Sequence, residues 1–316
     1  MAFEMRKSPK NSRAAEATGV VPMPSSPSIR ICAEQLYQAL QQSPLHFGQG
    51  SEDPWQEALW MVSSATGIAY GNLDQHGDDV VDSQALQCVE QWLQQRIRQR
   101  RPLAYILQRA WFAGLQFYVD ERVLIPRSHL GELLPEQLSP WVCPERISTT
   151  LDLCTGSGCI AIALAHYFPH SRVTATDLSV QALAVARINI EHYQLEQRID
   201  LRAGDLFAPL GQQRFDLIVS NPPYVDNSHM TALPREFRQE PWMALAAGDD
   251  GLELLIPILQ QARKYLHENG VLIVETGAAR MALEAKFPNL PFTWLTTTSG
   301  EEVIFVLNAK DLPVSQ

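Results

Sequence analysis

The sequence predicts an α/β fold: a doubly wound, seven-stranded sheet that ends in an antiparallel hairpin and follows a small helical N-terminal domain. Three observations carry this. After Thr149, strand-like and helix-like runs alternate, the pattern of a parallel sheet covered on both faces. The last two strand-like runs, 292–298 and 302–307, are too close for a parallel crossover and must pair antiparallel. Ahead of the sheet, residues 29–101 place apolar side chains three and four apart, as amphipathic helices do.

Residues 1–28 read as a disordered tail, rich in Ser, Pro, Ala and charge and without the apolar stretch of a secretory signal. The helical domain spans 29–110, with its clearest helices at 29–43 and 83–101. Asp82 or Ser83 would cap the second helix. Arg96, Arg98, Arg100 and Arg101 close it as a basic last turn, which complements the helix dipole and reads as a solvated end rather than an RNA contact. Residues 111–148 form a hairpin and a linker. The hairpin is expected in "WFAGLQFYVDERVLI", whose aromatic and β-branched content is broken by Asp120-Glu121.

The sheet domain covers 149–310. Its strands are expected at 149–154, 171–176, 198–203, 215–220 and 270–275, followed by the two terminal runs. Helices fit near 158–168, 179–193, 251–267 and 278–287.

Composition narrows the function. With 316 residues and 46% hydrophobic content the chain can bury a full core. No run of about 18 apolar residues occurs, so no membrane partner is expected. The five cysteines are scattered and odd in number, which suits small buried thiols in a reducing cytosol and a cytoplasmic location. Beyond the first 30 residues there are 20 basic and 33 acidic side chains, a net of −13. Such a body is ill suited to a phosphate backbone and better suited to a basic protein partner. His166 and His170 are four apart, but Pro169 breaks the helix that would align them, so no metal is expected.

Ligands of doubly wound sheets bind beyond the carboxyl ends of the strands. At the first such end, "LDLCTGSGCIAIA" lets Gly156 and Gly158 turn the chain tightly toward a ligand, with a helix N-terminus behind them. Asp177 ends the next strand, where an acid commonly holds a ribose by its hydroxyls. Asp205 ends the third, with Leu206 and Phe207 as apolar surface for a ring. Each aspartate alone would serve equally as a cap for the next helix or turn.

Two cofactors compete for this geometry. Gly156, Gly158 and Ala161 also satisfy the dinucleotide fingerprint of NAD(P). Asp152, however, would repel a pyrophosphate, whereas it would pair with the methionine ammonium of S-adenosylmethionine. Acids at three successive strand ends favour the cationic, phosphate-free cofactor.

The fourth strand runs into Asn221-Pro222-Pro223-Tyr224. Asn221 offers a carbonyl acceptor, and Pro222 a backbone carbonyl whose direction Pro223 fixes. Two such acceptors match the two hydrogens of a planar –NH2 group, and Tyr224 supplies a wall against it. The target is an amide or amino nitrogen conjugated to a π-system.

On these residues the chain resembles the class I S-adenosylmethionine-dependent methyltransferases that modify glutamine side-chain nitrogens. "DLCTGSGCIAIA", "ATDLS", "GDLF" and "NPPYV" stand in that family's order and spacing. The likeness extends over roughly residues 30–310 and includes "RPLAYIL" at the exit of the helical domain. "WFAGLQFYVDERVLIPRS" and "LPREFRQEPWMALAAGDDGL" resemble the branch that acts on large-subunit ribosomal protein three. The sister branch acts on the Gly-Gly-Gln motif of peptide-chain release factors.

The resemblance implies a Rossmann-like fold in which Thr155, Gly156, Ser157, Gly158, Asp177, Asp205 and Leu206 contact S-adenosylmethionine. It also implies that Asn221, Pro222, Pro223 and Tyr224 grip the glutamine amide beside the cofactor. Arg127 of "IPRS" would help shape the cofactor pocket, and the helical domain would recognise the protein substrate. Cys154 stands where many relatives carry glycine, and Leu206 where some carry tryptophan. Three other activities remain: release-factor methylation, DNA adenine N6-methylation, which uses the same tetrad, and NAD(P) oxidoreduction. An acidic body without an evident target-recognition domain argues against DNA, and no catalytic acid suited to hydride transfer appears.

Overall fold

The computed structural model describes residues 26–314 of the chain. The expected tail lies outside the described residues as far as residue 25. Ser28, its last residue, instead caps a helix. The chain divides into two compact units, the first ending at Leu107 and the second beginning at Gln108.

The first unit is helical, with α1 Ile29–Gln42, α2 Pro54–Thr66, α3 Ser83–Arg98 and α4 Leu103–Leu107. Local chemistry sets the ends. Ser28, Asp53 and Asp82 each accept a backbone N–H of the first turn of α1, α2 and α3. Pro54 opens α2 and Gly67 closes it in the left-handed conformation. Apolar faces bury Leu36, Leu40, Met61, Val62, Val89 and Leu93.

One basic residue of α3 departs from the expected solvated end. Arg96 is only 1% exposed, and its guanidinium donates to both carboxylate oxygens of buried Glu57, at 2.7 and 3.0 Å, and to the His46 carbonyl. It occupies a buried position of the helix face, so desolvation demands a paired carboxylate there. Arg100 and Arg101 also bond within the unit, to the Pro44 carbonyl and the Gln95 side chain.

The second unit opens with a two-stranded hairpin, β1 Ala110–Phe112 and β2 Leu115–Phe117. Its turn is at Ala113 and Gly114, both at positive φ, and not at Asp120-Glu121. Asp120 is engaged otherwise. Its carboxylate accepts the Arg122 backbone N–H and guanidinium and the Tyr118 hydroxyl, which folds residues 118–122 into a tight loop. A short helix, α5 Leu130–Leu133, follows.

The sheet then forms from β3 Thr149–Leu153, β4 Arg172–Asp177, β5 Ile199–Ala203, β6 Phe215–Ser220, β7 Leu266–Glu275, β8 Thr293–Leu295 and β9 Ile304–Asn308. Between them run α6 Cys159–Tyr167, α7 Val180–His192, α8 Asn227–Ala232, α9 Leu255–Tyr265 and α10 Arg280–Lys286. The strand order is β5-β4-β3-β6-β7-β9-β8. The first five strands in this order are mutually parallel, and β9 runs antiparallel to both β7 and β8. The terminal pair is antiparallel as its short connection requires. Helix α9 begins four residues later than expected, after a loop at residues 251–254.

Strand alternation divides the core. Leu217, Val219, Ile273, Ile304 and Val306 face the side covered by α6, whose residues 159–165 are all buried. Leu151, Leu153, Ile218, Leu272, Val274, Phe305 and Leu307 face the side covered by α9. Burial on both faces explains why these strands read as nearly continuous apolar runs. Of the cysteines, Cys32 and Cys159 are buried as expected, but Cys143 is exposed because it lies in the loop before β3.

Candidate active site

Chain order reverses beside β3, which pairs with β4 on one side and β6 on the other. The crevice at this switch point holds two adjoining cavities. The first is lined by Cys154 and Gly156 after β3, Thr176, Asp177 and Leu178 at the end of β4, and Asp205 and Leu206 after β5. Asn221 and Pro223 after β6 complete its floor. The second is lined by Arg127, Asn221, Pro222, Pro223, Tyr224, Leu233, Phe237 and Leu245. Leu124, Asn221, Pro223 and Ala244 belong to both.

The glycine loop is fixed from below and from the side. The Gly156 N–H donates to Asp177 Oδ2 at 2.8 Å, while Asp177 Oδ1 accepts the Ser179 N–H. Burial raises the Asp177 pKa against the pull of these two amides. Gly158 packs against α7, where a Cβ would stand 3.1 Å from that of Ala186. Asn189 of α7 donates to the Ser157 carbonyl at 2.9 Å. Cys154 itself has φ +60°, a left-handed conformation that suits glycine better. Burial pushes its thiol pKa up, which disfavours the thiolate.

Asp152 sits elsewhere than the sequence suggests. It is fully buried beneath the loop and does not line the cavity; its Oδ2 accepts the Thr155 hydroxyl at 2.5 Å. Its Oδ1 makes no hydrogen bond, and burial pushes its pKa up to about 7. Thr155 and Ser157 are likewise buried in the loop, and of Thr155 to Gly158 it is Gly156 that borders the cavity.

Two residues that line the cavities each carry a buried polar atom without a hydrogen-bond partner: Thr176 Oγ1 in the first, and Asn221 Oδ1 in the residue shared by both. A buried acceptor left unpaired costs about 1–3 kcal/mol, so such atoms mark where a ligand's hydrogens belong.

Tyr224 is held from three sides. Its hydroxyl donates to Glu275 Oε1 at 3.3 Å. Its ring lies on Gly277, where a Cβ would come within 2.2 Å of the ring. Its carbonyl packs on Gly251. Burial, then the nearby Glu275 carboxylate, raises the phenol pKa, so the hydroxyl stays protonated.

Arg127 does not line the first cavity. It is drawn into the second by a bidentate pair with Glu240, at 2.6 and 3.0 Å, and lies over the Phe237 ring at 5.1 Å. Glu240 Oε1 also accepts the Ile125 N–H.

Comparison with known proteins places the chain in a family. Residues 132–249 match the methyltransferase small domain, and residues 38–107 match the PrmC N-terminal domain. The ribosomal protein uL3 glutamine methyltransferase of Burkholderia pseudomallei is 42% identical over 90% of this chain and 96% of its own length. The chain belongs to the ribosomal protein uL3 glutamine methyltransferase family. A second member, from Francisella tularensis, is 45% identical over 85% of this chain and 86% of its own. The Neisseria gonorrhoeae member is 44% identical over 85% and 90%. The chain is therefore an enzyme, a methyltransferase whose methyl donor is S-adenosylmethionine.

Three features of this family member do not stand out in the sequence as parts of the site. Glu275 ends β7 without belonging to any quoted motif, and Glu240 reaches the site from more than a hundred residues beyond Arg127. Residues 122–124, which read as part of the hairpin, line the first cavity. The acid closing the fifth apolar strand in "VLIVETG" was the one available hint of Glu275. Among the described residues, no three His, Cys, Asp or Glu side chains form a metal-binding group. No described helix is long and apolar enough to cross a membrane.

Proposed function

We propose that this chain transfers the methyl group of S-adenosylmethionine to the side-chain amide nitrogen of a glutamine in ribosomal protein uL3. The carrying observation is Asn221 Oδ1, a buried, unpartnered acceptor at the junction of two cavities. The names of the relatives support the substrate.

The first cavity fits the cofactor. Its walls offer carboxylates at Asp177 and Asp205, apolar surface at Leu206, and the unpartnered Thr176 hydroxyl. Gly156, Asp177, Asp205 and Leu206 would hold S-adenosylmethionine, with Thr155, Ser157, Gly158 and Asp152 shaping the loop from behind. When bound, it supplies an electrophilic sulfonium methyl.

The chain's own residues prepare the nucleophile. A primary amide nitrogen is a poor nucleophile because its lone pair is shared with the carbonyl. Asn221 Oδ1 and the Pro222 carbonyl accept its two hydrogens and turn the nitrogen toward the first cavity. Tyr224 covers the amide plane, and Leu233, Phe237 and Leu245 shelter the side chain's methylenes from water. Well-oriented reactants gain about 7–11 kcal/mol over free encounter, which makes positioning the main catalytic device. An amide made cationic at nitrogen is strongly acidic, so its proton leaves to water without a dedicated base.

A protein substrate and a cytoplasmic setting agree with the acidic body, which favours a basic polypeptide over nucleic acid. The helical unit would contribute substrate recognition. The test is incubation with labelled S-adenosylmethionine and, separately, free uL3 and a release factor, followed by peptide mapping. Label on the amide of one uL3 glutamine is the expected result. Label confined to the release factor would move the chain to the sister activity, and label on neither would end this reading.

A further inference from the structure

Glu275 lies outside both cavities and is only 2% exposed, yet it bonds Tyr224, which lines the amide pocket, and two residues adjoining Arg127, which also lines it. Oε1 accepts the Tyr224 hydroxyl at 3.3 Å. Oε2 accepts the Ser128 hydroxyl at 2.6 Å and the His129 N–H at 2.9 Å. Ser128 and His129 directly follow Arg127, which lines that pocket. One carboxylate at the end of β7 thus joins the tetrad's tyrosine to the segment that carries Arg127.

The same segment is also held by Glu240, which takes the Ile125 N–H and the Arg127 guanidinium, and by Glu132 and Glu301, which flank the His129 ring at 3.0 and 3.1 Å. Residues 125–129 are therefore fixed at one end by Glu240 and at the other by Glu275. Gly277, two residues beyond Glu275, leaves the space the ring fills. We propose that Glu275 is a positioning residue for methyl transfer: it sets the tilt of Tyr224 and the width of the pocket that orients the glutamine amide.

The inference rests on the tetrad being the amide pocket. It predicts a loss in turnover with binding left nearly intact, because orientation and not contact area is what Glu275 controls. It also predicts non-additivity, because Glu275 and Tyr224 would act through one shared bond.

Kinetics of Glu275→Gln, Tyr224→Phe and the double variant on uL3 provide the test, with S-adenosylmethionine affinity measured by calorimetry. Each single change is expected to lower kcat about tenfold, the loss of one hydrogen bond to a charged group, with KM and cofactor affinity within about twofold. The double variant should be no slower than the slower single. Losses that multiply, or a kcat left intact by Tyr224→Phe, would overturn the assignment of Glu275 while leaving the proposed activity standing. If Glu275→Gln does not fold, Ser128→Ala with Tyr224→Phe replaces it, since these remove bonds on opposite sides of the same carboxylate. Their combined loss should fall short of the product of the singles, and a full product would overturn the assignment. Failure of the unaltered protein to label a uL3 glutamine would remove the pocket itself, and this inference with it.

Discussion

Tyr224 owes its place to its neighbours. A ring resting on Gly277 tolerates no side chain beneath it. Gly277→Ala would displace the ring or the strand end, at a cost of about 1–3 kcal/mol for overpacking. Thermal unfolding should register that loss, and turnover should fall more than tenfold while cofactor affinity is kept. Asp152 makes a different kind of prediction. Its folded pKa of about 7 lies well above the ordinary aspartate value, about 3.9, so the fold favours the protonated acid. The stability this contributes is full below about pH 4 and is lost as pH rises through about 7. Asp152→Asn should therefore cost least, or even stabilise, near about pH 8, with an advantage over the unaltered chain that grows with pH by up to a few kcal/mol. Melting curves over that range give the sign, and a pH-independent difference would show that Asp152 does not titrate there. At this scale the sequence named the tetrad and the strand-end acids because their chemistry is local. It could not name Glu275 or Glu240, whose role exists only once distant segments meet.

Helices and strands were more legible than their joints. Periodicity located the sheet's strands and α6, α7 and α10 to within a few residues, because one long buried face leaves a strong pattern. Turns left a weaker record: Ala113-Gly114 makes the hairpin, although Asp120-Glu121 looks more like a break. The α2–α3 contact shows how a polar pattern misleads. Arg96 sits in a run of arginines that reads as solvent-facing, yet it forms a buried pair with Glu57. Removing one partner of such a pair costs about 3–5 kcal/mol, because the other charge is left in the interior. Glu57→Gln should thus destabilise the helical unit by about that amount in denaturant titrations. A change under about 1 kcal/mol would mean the pair is replaceable.

For the molecule as a whole, class and cofactor followed from the order in which motifs meet successive strand ends. Strand neighbours followed only for β8 and β9, whose short connection forces an antiparallel pair; elsewhere periodicity says which faces are buried and nothing about who pairs with whom. That information resides in long-range contacts, and here its most telling case is β9. Residues 304–308 are the last strand in the sequence, yet they lie between β7 and β8. During synthesis β7 must wait with an open edge, and β8 has no place to dock, until that final segment has been made. A catalyst proposed to modify a component of the ribosome can therefore complete its own sheet only after β9 has left the ribosome that makes it.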